Sequence, residues 1–151
     1  MRQTDFTQTA VDLLLDGYMC SESVVMAFAE IMGLNRDTAA KISCAFAGGM
    51  AQGKTCGAVS GAVRVIGLAY GSGLVRDPYS KDRCFQLTQE FSSRFRRIRQ
   101  TLECHDILRM NHINPADPDE MRTLREKPLC ADIVKESVTL LLGIMDEEGP
   151  L

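Results

Sequence analysis

Apolar residues recur at spacings of three and four along almost the whole chain, and the strict alternation of a half-buried strand is hard to find anywhere. Helices must therefore build the fold. Asp5 to Leu15 places Phe6, Ala10, Val11, Leu14 and Leu15 on one face, and Gly17 follows as a helix-ending glycine. A second helix begins near Cys20 or Ser21 and carries Val24, Val25, Phe28, Ile31 and Met32 as far as Gly33. Asn35 or Asp37 can cap a third running towards Phe46, which Gly48 and Gly49 stop. After Gly53 a fourth carries Val59, Val63, Ile66 and Leu68. Gly71-Ser72-Gly73 and Asp77-Pro78 make a loop, and the longest helix then runs from Lys81 to about Leu102. Along it Phe85, Leu87, Phe91, Phe95 and Ile98 sit among Arg94, Arg96, Arg97 and Arg99, which read as a solvated face with apolar stems. Asn114 to Asp119, with two prolines, is a connector before a last helix from about Cys130 through Val134, Val138, Leu141 and Ile144. The expectation is an all-α, single-domain bundle of about five to six helices with glycine-rich loops, spanning residues 1–151.

Length and charge narrow the function. At 151 residues the chain is long enough for one real core and too short for two. Seventeen basic against twenty acidic residues, with no block of like charge, disfavour nucleic acid as a ligand. No run of about 18 uncharged apolar residues is present to span a bilayer, and the Met-Arg-Gln-Thr-Asp start lacks the apolar region of a secretory signal. The cytoplasm is the expected compartment. In that reducing setting six cysteines point to metal ligands or redox thiols rather than to a disulfide framework.

Four of the six share a context. Cys20, Cys56, Cys104 and Cys130 each fall near an expected helix start, where the helix dipole and free backbone N–H groups stabilise a thiolate. Four thiolates match the ligand count of an iron–sulfur cluster or a structural zinc. They lie 36, 48 and 26 positions apart, so no Cys-x-x-Cys pair announces a local site and the fold itself has to assemble one. Cysteine is also a small apolar residue that is commonly buried and inert. Cys44, between Ser43 and Ala45, and Cys84, beside Phe85, are read as such core residues.

Cys20-Ser21-Glu22-Ser23-Val24, Phe46-Ala47-Gly48-Gly49-Met50 with Gly53, and Cys56-Gly57-Ala58-Val59-Ser60-Gly61-Ala62 with Ile66-Gly67-Leu68 beyond resemble the C_GCAxxG_C_C family of small four-cysteine redox proteins. Cys104 and Cys130 match that family's third and fourth cysteines in order and context. The resemblance implies a helical domain whose four cysteines form a redox-active or iron–sulfur site, supported by the glycines at 48, 49, 53, 57 and 61. A related domain in a haem-bearing cytochrome points towards electron transfer with a redox partner protein. This chain has no Cys-x-x-Cys-His for a haem of its own, carries Ala47 where a third glycine is common, and adds Cys44 and Cys84.

Rival readings use the same residues. The cysteines can serve as one or two reversible disulfides without metal. His105, and His112 nearby, are candidate further ligands. Gly57 and Gly61, four apart, permit close helix approach, read here as core packing with a homodimer contact as the alternative. A helical partner-binding module would use that face or the 94–99 arginines. Gly48 to Thr55 also satisfies the phosphate-loop pattern, with Lys54 and Thr55 in the phosphate and magnesium positions, and 140–147 imitates its acidic partner segment. That loop needs a buried strand before it, whereas Thr38 to Phe46 reads as helix, so no nucleotide is expected.

Overall fold

A computed structural model describes residues 3–149 of the chain. They form eight α-helices: α1 (Gln3–Leu15), α2 (Cys20–Ala29), α3 (Arg36–Cys44), α4 (Gly57–Tyr70), α5 (Pro78–Arg99), α6 (Cys104–Met110), α7 (Pro118–Arg122) and α8 (Leu129–Glu148). Among the described residues there is no strand; the one extended pairing is an isolated bridge between Thr55 and Glu103. The count exceeds the expected five to six because α6 and α7 are too short to carry a periodic apolar pattern, α7 starting at the end of the segment taken as a connector and running on to Arg122.

Local chemistry starts the helices. Asn35 accepts the Thr38 N–H at 3.1 Å, and Asp77 accepts the Ser80 N–H at 3.0 Å with Pro78 in the first turn, so α5 begins three residues before the expected Lys81. Asp117 with Pro118 repeats this device at α7. The Glu22 carboxylate turns back to accept the Met19 N–H at 2.6 Å, ordering the chain just ahead of Cys20.

Helix α2 is central, buried from Ser21 to Ala29 except at Glu22, with α1, α3, α4 and α8 packed around it. Its Val24, Val25 and Phe28 meet Val59, Val65 and Ile66 of α4 and Val134, Val138 and Leu141 of α8 in one core. Ser21 donates to the Ser43 carbonyl and Ser137 to the Ala58 carbonyl, 2.7 and 2.8 Å, so the hydroxyls buried between helices tie α2 to α3 and α8 to α4. Helix α5 turns Leu87, Phe91 and Phe95 inward, which leaves Phe85 and Ile98 outside that stripe and exposed. Two of its arginines are not merely solvated: Arg94 grips Glu147 with two bonds of 2.9 and 2.7 Å, and Arg99 grips Glu136 with two of 2.7 Å, fastening α5 to α8. No described helix is long and apolar enough to cross a membrane.

Between α3 and α4 the backbone coils the wrong way. Gly48, Gly49, Met50 and Ala51 have φ of 63°, 64°, 60° and 56°, a turn of left-handed helix. Glycine suits the first two; Met50 and Ala51 are held there at about 1–2 kcal/mol each. Both side chains are exposed, so their removal forfeits little packing. Met50→Gly and Ala51→Gly are therefore each expected to raise stability by about 1 kcal/mol, read as a higher denaturant midpoint at unchanged m-value.

Candidate functional site

The left-handed turn delivers the chain to Cys56. From there two backbone hydrogen bonds bind residues 54–56 to 102–104: Cys104 donates to the Lys54 carbonyl and Cys56 to the Leu102 carbonyl, each at 2.7 Å, which together make the Thr55–Glu103 bridge. Cys56 immediately precedes α4, while Cys104 opens α6. Cys20 opens α2, and Cys130 is the second residue of α8. All four line one cavity of about 30 Å³, walled otherwise by Ile107, Leu108 and Ile133. Residues scattered over 110 positions of sequence thus meet at one point, with the starts of four helices directed to it.

The glycines make this approach possible. A Cβ on Gly57 would overlap the Cys20 sulfur and stand 3.3 Å from the Ala47 Cα; one on Gly61 would lie 3.0 Å from the Val24 Cβ. These close contacts account for the Gly57 and Gly61 face as packing of α4 on α2. A Cβ on Gly49 would run into the Lys54 backbone, and one on Gly53, itself at φ 70°, into the His105 ring. Gly48 has a left-handed φ and open space around it.

Electrostatics follow from burial. Desolvation, with Cys20 alongside, pushes the wholly buried Cys56 thiol far above its ordinary range, against the pull of the Ala58 and Val59 amides. Burial and Cys20 likewise raise Cys104 to about 11 and Cys130 to about 12. Unliganded, these three thiols are protonated at neutral pH, and binding to a metal would release their protons. Arg125 partly offsets the rise at Cys130; it donates to the Gly17 carbonyl at 2.8 Å and touches the Met19 sulfur, clipping the segment before α2 to the segment before α8.

Other expectations are corrected. His105 does not line the cavity; it lies against Gly53 on a neighbouring surface, because on α6 it is Ile107 and Leu108 that turn inward. Cys44 is exposed rather than in the core, since α3 buries Ala39 and Ser43, and Cys84 is only half-buried. Neither lines the cavity. Helix α3 fills the place where a phosphate loop needs its strand. The walls Ile107, Leu108 and Ile133 and the clip Arg125 were not singled out from sequence; the apolar pair following Cys104 was the visible sign of the first two. Among the described residues no group of three or more Cys, His, Asp or Glu side chains is set around a single metal-ion position.

Residues 18–144 match the model of a family described as "Putative redox-active protein (C_GCAxxG_C_C)". The chain belongs to this family. The match runs from just before Cys20 to past Cys130, so it takes in all four cysteines of the cavity. Searches of curated proteins and of solved structures return no match.

Proposed function

We propose that this C_GCAxxG_C_C protein transfers electrons through an iron–sulfur cluster held by Cys20, Cys56, Cys104 and Cys130. The observation that carries the reading is that four thiols from four separate helix starts line one small, apolar-walled cavity. The donor set is all sulfur, which suits an iron–sulfur cluster and a four-cysteine zinc alike, and the iron, sulfide and zinc measurement below separates them. When bound, the cluster supplies a one-electron couple. The chain's own residues do the rest: the thiolates hold it, Ile107, Leu108 and Ile133 keep water out, and the N-terminal ends of α2, α4 and α8 offset negative charge.

The small size of the cavity, room for about one or two water molecules, favours a second reading in which the same thiols form reversible disulfides. Against it stand the complete burial of Cys56 and the raised thiol pKa values, since exchange needs an accessible thiolate. Iron, acid-labile sulfide and zinc are to be measured with a visible spectrum on protein purified without oxygen, beside Cys56→Ser. Stoichiometric iron and sulfide, lost in the variant, are expected. Metal-free protein overturns the cluster reading, and a reversible disulfide in a thiol titration then supports the second. The cytoplasm and a separate redox partner protein belong to this proposal.

A further inference from the structure

Beside the cysteine cavity the surface dips into a depression of about 450 Å³ lined by Gln52, Gly53, Lys54, Glu103, His105, Asp106 and Arg109. That volume lies within the range of small-molecule sites, roughly 300–1,000 Å³. Its lining, apart from Gly53, is entirely polar or charged. The backbone of this lining is tied across its two segments by the Thr55–Glu103 bridge, and the bare Gly53 leaves room for the His105 ring. The floor of the depression is thus main chain held by hydrogen bonds, with the polar side chains standing on it.

Its charges are arranged unevenly. Asp106 and Arg109 are joined to each other at 3.2 Å. Lys54 and Glu103 lie on the two bridged segments, of opposite sign and facing the same depression, yet they form no ion pair with each other, and among the described residues neither side chain has another hydrogen-bonding partner. The Gln52 amide and the His105 ring are equally unengaged there. With Asp106 and Arg109 offsetting one another, a bare anion is served by Lys54 but repelled by Glu103; a bare cation meets the reverse. A ligand carrying both charges satisfies both residues at once.

We propose that this depression binds a small zwitterion of amino-acid size, its carboxylate on Lys54 and its ammonium on Glu103, with Gln52 and His105 completing the hydrogen bonds. The inference stands on the depression alone and does not depend on what the four cysteines hold. Equilibrium dialysis of the purified protein against radiolabelled glycine tests it, on samples of measured iron content, with Lys54→Gln and Glu103→Gln alongside. Both substitutions are at the surface rim and leave the helices intact, which circular dichroism verifies. Saturable binding of one glycine per chain is expected, weakened at least about tenfold in each variant and poorly displaced by acetate or by methylammonium. Absence of saturable binding overturns the proposal, as does binding undiminished in both variants. Acetate competing as well as glycine overturns it too, by making the depression an anion site. A protein that lacks iron but binds glycine fails the cluster reading and leaves this one standing.

Discussion

Alanine at Gly57 is expected to destabilise the protein by about 2–3 kcal/mol, lowering the thermal midpoint by about 8 °C. The added methyl has nowhere to go: it overlaps the Cys20 sulfur and presses on the Ser21 amide and the Ala47 backbone, 3.2 and 3.3 Å away. Two of these neighbours are main chain, so α4 has to move off α2. The same substitution ten residues later, nearly three turns along, gives the control. Gly67 on α4 is exposed, with nothing within 4 Å of its Cβ position, and Gly67→Ala should stabilise by about 1 kcal/mol through helix propensity. Opposite signs from one chemical change on one helix separate close approach from backbone preference. A midpoint for Gly57→Ala equal to that of the parent would mean that α2 and α4 are not in contact at Cys20.

The second large effect is expected at Phe28. Its side chain is fully buried in the middle of the molecule, and its ring stacks on Phe6 of α1 with centroids 4.7 Å apart. Phe28→Ala removes that stack and leaves a cavity between α1 and α2, at a cost of about 3–5 kcal/mol, or about 12 °C in the midpoint. Phe85→Ala, at a residue 68% exposed on α5, should change stability by less than about 0.5 kcal/mol. Calorimetry or chemical denaturation of the pair checks the ranking. Because α2 begins with Cys20, the Phe28 variant should also lose cysteine-site integrity before it loses helix content, seen as faster alkylation of Cys20 by a mass-resolved thiol probe.

Much of this was legible in the chain. Spacings such as Leu87, Phe91, Phe95 and Val134, Val138, Leu141 are long enough to specify α5 and α8 and their inward faces. The helix-start context of the four cysteines was readable from the turn residues before them, and their shared cavity is where those starts converge. What escaped depends on contacts between distant segments. Helix α7 has no buried residue and thus no apolar signal. Cys44 was misplaced because one residue of helical phase, 100°, separates it from the buried Ser43, and a short window does not fix the phase. His105 was grouped with Cys104 by adjacency, whereas neighbours in a helix point in different directions. Arg125 reaches across 108 positions to Gly17, a contact that no local pattern encodes.

The two halves of the cysteine site are secured by different means, and they differ accordingly in how they tolerate sequence drift. Cys56 and Cys104 are stitched by main-chain bonds between 54–56 and 102–104, which most side-chain changes in those segments leave untouched. The approach to Cys20 and Cys130 is clipped by the guanidinium of Arg125. A lysine there cannot reach a carbonyl and a sulfur with the same planar fork. One half is thus written into the backbone and survives substitution, while the other draws part of its fastening from one residue that lies outside every cysteine motif.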